Sequence, residues 1–185
     1  HGNEIPTIDV VLVTIKTIVA AGETATEIGL NTSSKIAVNP VIETTDAVKL
    51  IVKGTLLSQK PAENTVTGNT IVLTDNVFNP QVAKILQGGT IVMDGEDFVS
   101  YTPPAPNSSD KGEVFELTAY SAVYDTSGLI TSYEKVVYPN CQGTPFGVSA
   151  EDGVFNVSEY TINSAPGVSE APYTITMVDT LPTVT

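Results

Sequence analysis

Apolar and polar positions alternate along most of the chain. Between residues 47 and 59, Val48, Leu50, Val52 and Leu56 fall on one side of an extended segment, with Lys49, Ile51, Lys53 and Thr55 on the other. That period of two predicts a strand with one buried face. Phe115, Leu117, Ala119 and Val123 alternate in the same way against Glu116, Thr118, Tyr120 and Tyr124. Thr126, Ser127 and Gly128 then turn the chain into 129–139, so 114–139 reads as a hairpin. Runs rich in β-branched and aromatic residues at 64–75, 90–101, 154–162 and 172–181 bring the expected total to about eight to ten strands, with no internal repeat. The segment 102–113, TPPAPNSSDKGE, is a loop by composition.

One stretch breaks the alternation. In NPQVAKILQGG, residues 79–89, Asn79 suits an N-cap and Pro80 the first helical position, where a missing N–H is harmless. Val82, Ile85 and Leu86 follow at i, i+3 and i+4, and Gly88 and Gly89 permit a left-handed stop. The pattern predicts a helix over about 79–88. A helix this short is not stable in water by itself, so its apolar stripe must dock on the sheet. The predicted fold is therefore mainly β: an antiparallel β-sandwich with one short flanking helix.

The N-terminal segment reads differently. Ile8, Val10, Val11, Leu12, Val13 and Ile15 make a strand that is apolar on both faces, which the edge of a single sandwich does not easily cover. The small, polar run 20–34 that follows is long enough to reach a neighbour. Residues 1–34 are accordingly expected to form an extended arm and linker that crosses to another subunit, and 35–185 the β-sandwich domain.

Composition narrows the function classes. Net charge is −13, from 21 acidic and 8 basic residues, and all eight basic residues are Lys. Without Arg and with this acidic excess, the chain is not expected to bind nucleic acid. No apolar run is long enough for a membrane span. Candidate chemistry is sparse. His1 is the sole histidine and Cys141 the sole cysteine, so a His-activated nucleophile and a Cys/His zinc site both lack members. Cys141 is expected to be a small buried apolar side chain. The acids of Asp94–Asp97 (DGED) and of Glu151–Gly153 (EDG) sit in turn-like contexts without calcium-loop spacing. No enzyme activity, cofactor or metal is expected, and the balance favours binding or structure.

Several phrases together resemble a known family. They are LLSQKP, TGNTIVLTDNVFNPQVAKILQGGTI, FELTAYSAVYDTSG, YEKVVYPNCQGTPFGVSAEDGVFNVSEYTINSAP and EAPYTITMVDTLP, spread over about residues 35–182. In this order they resemble the major tail tube proteins of tailed phages and of phage-tail-like particles of Gram-positive bacteria. The resemblance implies a structural subunit that closes into hexameric rings by joining sheets into an inner barrel. The rings stack into a hollow tube in the virion tail, assembled in the host cytoplasm. Implied partners are other copies of the chain, a tape measure protein, and tail terminator and baseplate proteins. DNA passes through the lumen without specific binding, and no membrane is involved. The alternative is an extracellular pilus or fibre subunit that polymerises by donating the strand 8–19 to the next copy. A leader removed before His1 would favour the fibre, and a bare Met the tube.

Overall fold

The structure is a computed structural model that describes residue 5, residues 7–154 and residues 156–184. The side chain of Ile8 and all of His1 lie outside the described residues. Twelve strands and one helix occur among them. In chain order the elements are β1 (Thr7–Thr17), β2 (Glu27–Leu30), β3 (Ser33–Thr45), β4 (Val48–Val52), β5 (Thr55–Lys60), β6 (Glu63–Asp75), α1 (Pro80–Gln87), β7 (Thr90–Asp94), β8 (Asp97–Thr102), β9 (Phe115–Tyr124), β10 (Ile130–Gly143), β11 (Ser158–Ser164) and β12 (Thr174–Val178). The fold is mainly β with antiparallel sheets and one short helix, consistent with a β-sandwich.

The main sheet runs β2-β1-β9-β10-β11-β6-β3, and β12 pairs with β10 off this path. The strand β10 joins its two halves. Tyr133 to Val137 pair with β12, whereas Cys141 to Gly143 pair with β11. Between these stretches the ladder with β9 skips from Tyr138 to Cys141, and Asn140 adopts φ 46°. Such a bulge bends and twists a strand, and Asn tolerates the left-handed backbone better than most residues. The Ser164 hydroxyl donates to the Pro139 carbonyl at 2.6 Å and the Ala165 N–H to the Asn140 carbonyl at 3.2 Å, which fixes the bend. The core then forms between the halves. Val13, Ile15, Ile28, Phe115 and Leu117 come from one side, and Ile71, Leu73, Tyr160 and Ile162 from the other.

The N-terminal segment is not the extended arm expected from its sequence. The strand β1 lies inside the sheet of its own chain, antiparallel to β2 and to β9, with Ile8 opposite Ala122 and Ile15 opposite Leu117. Val13 and Ile15 are fully buried, Leu12 nearly so, and Val10 packs against the core. Both faces of the strand are apolar because both are covered within the chain. Residues Leu181, Pro182 and Val184 return to lie beside Val11, Leu12 and Gly29. A division into a 1–34 arm and a 35–185 domain does not describe the molecule, since β1 and β2 supply five of its core residues.

The helix forms where the sequence pattern places it. The Asn79 side-chain oxygen accepts from the N–H groups of Gln81 and Val82, Pro80 opens the helix, and Gly88 ends it at φ 81°. Val82, Ala83, Ile85 and Leu86 are buried, and Lys84 is exposed. Gly143 from the end of β10 and Gly112 from the 103–114 loop back directly onto this stripe. A β-carbon on Gly143 would sit 2.6 Å from Leu86 Cα. The helix therefore approaches the sheet at backbone distance.

The strands β3 and β6 form a long hairpin whose inner half lies in the sheet and whose outer half is exposed. From Ser33 to Val38 and from Asn69 to Asp75 they belong to the sheet, with Ile71, Leu73 and Asp75 buried. Beyond Val41 and Gly68 the pair leaves the body, and Thr67 forms a bulge there, since Val41 faces Gly68 and Ile42 faces Val66. Thr67 donates its hydroxyl to the Val41 carbonyl at 3.3 Å across the bulge. The outer end carries a second hairpin, β4–β5, which turns at Lys53 (φ 52°) and Gly54 (φ 80°). Two consecutive positive φ values define the type I′ turn that matches strand twist. The single half-buried strand expected over 47–59 is thus two strands, both exposed along their whole length.

Candidate assembly surfaces

The outer arm exposes large apolar side chains without cover. Val48 is 65% exposed, Leu50 55%, Ile51 59% and Leu57 61%. Val48, Leu50 and Val52 share one face of β4, and Ile51 lies opposite Leu56 on the other. A two-stranded sheet in water is at best marginally stable. An apolar one that stays exposed along both strands has the character of an interaction surface. Charge marks the same segment. Lys49, Lys53 and Lys60 lie within 48–60 and no acid does, so the tip carries +3 on a chain of net charge −13. Asp46 and Glu63 stand just inboard of it.

A second exposed hairpin, β7–β8, has the opposite sign. Asp94, Glu96 and Asp97 surround its turn and no Lys lies within 90–102. It is fastened at its root to α1. The Tyr101 hydroxyl donates to the Gly88 carbonyl at 2.6 Å and accepts from the Gln87 side-chain amide at 2.9 Å. The Gly89 N–H donates to the Asp110 carboxylate at 2.9 Å. The rings of Phe98 and Tyr101 each stand 6.3 Å from that of Phe78. Val92, Met93, Phe98 and Val99 remain about half exposed.

Between this hairpin and β2 lies an open groove of about 630 Å³, lined by Ile28, Leu30, Val77, Phe78, Ile91 and Met93. At its edge Asp75 is almost completely buried. One of its carboxylate oxygens accepts from the Thr32 hydroxyl at 2.6 Å and from the Val77 N–H at 3.4 Å. The other oxygen has no partner among the described residues, nor has the nearby Ser33 hydroxyl. Buried polar atoms are nearly always paired, so this corner beneath the groove carries an unsatisfied acceptor that solvent does not reach.

No cluster of His, Cys, Asp and Glu among the described residues is arranged to hold a metal ion. No described helix is long and apolar enough to cross a membrane. Cys141 is buried, and desolvation pushes its thiol up to about 11 despite a hydrogen bond to Ser164 that works the other way. An un-ionised thiol is a poor nucleophile. The DGED acids form the β7–β8 turn, exposed to solvent.

Of the residues singled out from sequence, Val82, Ile85 and Leu86 come together beneath α1, while Val10, Leu12, Val13 and Ile15 pack in the body rather than projecting from it. Val11 lies half-buried beside the C-terminal residues. The donor-strand fibre required a free first strand, and β1 is paired along its length within its own chain. The projecting element is 42–66 instead. Its signal in the sequence was Lys53-Gly54, a two-residue turn within what looked like one strand.

No family model matches the chain, and no curated protein matches it. Among solved structures, a chain of the anti-feeding prophage baseplate, determined by cryo-electron microscopy with six-fold symmetry imposed, aligns over 95% of this chain and 97% of its own. The identity is 9% and the TM-score 0.33. Similarity at that level is too slight to bear on fold or function.

Proposed function

We propose that this chain is a structural, self-assembling subunit of a phage-type tail tube, closing into six-membered rings that stack around a central channel. The single observation that carries the reading is the exposed apolar arm at 42–66. Burying exposed aliphatic area is worth about 25 cal/mol per Å². Val48, Leu50, Ile51, Leu56 and Leu57, each more than half exposed, are therefore a standing drive toward association. The strands β2 and β3 are the end strands of the main sheet among the described residues. Such edges invite pairing with another chain unless closure abolishes them. The phrases spread over 35–182 that resemble tail tube proteins support the choice of a tube over other assemblies. No catalytic step is assigned to the chain. Its partners on this reading are copies of itself, a tape measure protein and the terminator and baseplate proteins at the tube ends. The acidic surface suits passage of DNA without adhesion.

Negative-stain microscopy and sedimentation of the purified chain test this. Rings or tubes with a central hole are expected, together with a folded monomer when the arm 42–66 is replaced by a short turn. A full chain that remains monomeric at all concentrations, or that forms solid fibres, would refute it.

A further inference from the structure

The two exposed hairpins complement each other. One is apolar with three lysines and no acid, the other apolar with three acids and no lysine. They cannot meet within one chain. The groove lies where β3 begins and β6 ends, at Thr32 and Asp75, whereas the arm leaves the body at Val41 and Gly68. Along β3, Ser33 beside Asp75 and Val41 are eight residues apart, or about 26 Å at 3.3 Å per residue, and the arm continues outward from there. Donor and acceptor surfaces thus sit at opposite ends of the same pair of strands.

We propose that the β4–β5 tip of one copy docks head to tail into the groove beside β7–β8 of a second copy. Lys49, Lys53 and Lys60 meet Asp94, Glu96 and Asp97, while the aliphatic side chains of the tip cover Met93 and Phe98. This deepens the self-assembly reading and rests on it. A contact between two different patches of the same chain is heterologous, so it propagates unless rotation closes it. The charges set the direction: tip against tip and groove against groove both repel, so copies can join only with one polarity. The groove is within the size range that takes a few side chains, about 300–1,000 Å³.

Charge reversal on each side provides the test. Chains carrying K49E/K53E/K60E or D94K/E96K/D97K are compared with wild type by sedimentation and negative stain. All six side chains are exposed, so both variants should melt close to wild type. Each alone should need at least about tenfold more protein to assemble, a difference of about 1.4 kcal/mol. Mixed in equal amounts they should assemble again, because each variant's tip then suits the other's groove. Wild-type assembly should weaken as salt rises from about 0.1 M to about 1 M, where the Debye length falls from about 10 to about 3 Å. Variants that each assemble like wild type would overturn the contact and leave self-assembly standing. A mixture no better than its components would also overturn the contact. A wild-type chain that never assembles would overturn both.

Discussion

Replacing Gly143 with alanine perturbs the closest approach between helix and sheet. The added β-carbon would lie 2.5 Å from Leu86 Cδ2 and 2.6 Å from both Leu86 Cα and Cβ. Carbon atoms rest at about 3.5–4.0 Å, so α1 must retreat by about 1 Å. The Leu86 side chain could rotate away from one of these contacts, but its Cα could not, so the helix backbone itself has to move. A gap of that size forfeits a quarter to a half of the dispersion contact along the stripe of Val82, Ile85 and Leu86. Overpacking of this kind costs about 1–3 kcal/mol. Gly143 does not have a positive φ, so alanine suits its backbone and returns about 0.4–1 kcal/mol through the unfolded chain. The net expectation is a loss of about 1–2 kcal/mol. For a chain of this length that lowers the midpoint by about 2–8 °C. Gly147 is the control: it has open space around it and no positive φ, so Gly147→Ala should melt at or slightly above wild type. Thermal melts followed by circular dichroism, on protein kept monomeric, measure both. Adding Leu86→Ala to Gly143→Ala should not rescue it, because the clash with Cα persists and a cavity is added. A Gly143→Ala chain as stable as Gly147→Ala would show that α1 does not lie at backbone distance from β10.

Alkali should destabilise the fold through Cys141. Its thiol is raised from 9.0 to about 11, so the unfolded chain loses that proton first. Its contribution is intact below pH 9 and declines as pH rises to about 11, by at most about 3 kcal/mol. Denaturant midpoints of wild type and Cys141→Ala should converge over that window, and parallel curves would refute the assignment. Deleting residues 1–34 should unfold the chain, since it removes Leu12, Val13, Ile15, Ile28 and Leu30 from the core. A truncated chain with a cooperative melt near wild type would restore the idea of a detachable arm. Assembled particles should leave duplex DNA unbound at moderate salt, given 21 acids, 8 lysines and no arginine. Micromolar, salt-sensitive binding in a filter or polarisation assay would contradict the charge argument.

The helix was legible because every device that makes it is local. Asn79, Pro80, the Val82–Ile85–Leu86 spacing and Gly88 act within a few residues of one another. The hairpin β9–β10 was legible for the same reason, its turn being written at Asp125 to Gly128, where the Asp125 carboxylate accepts from the Ser127 and Leu129 N–H groups. What failed was the question of what covers an apolar face. The segment 8–15 looked uncovered, yet Leu181, Pro182 and Val184 come back over it from the far end of the chain. Val48, Leu50 and Val52 looked half buried and are bare. Periodicity reports that a face is apolar, and the identity of its cover is a long-range property, or an intermolecular one. The groove was invisible for a related reason: Ile28, Phe78 and Met93 approach only through the fold.

The bulge at Thr67 has a consequence for how this arm can change in length. Side chains alternate across a strand, so one unmatched residue at the root decides which side of the projecting ribbon every later residue occupies. Removing Thr67 would turn Val66 and the rest of the outward strand over relative to the body. Insertions or deletions beyond the root are therefore neutral in parity only when they come as matched pairs on both strands, two residues at a time on each. The reach of the arm is free to vary in steps of about 7 Å, while the orientation of its tip is set by a single threonine.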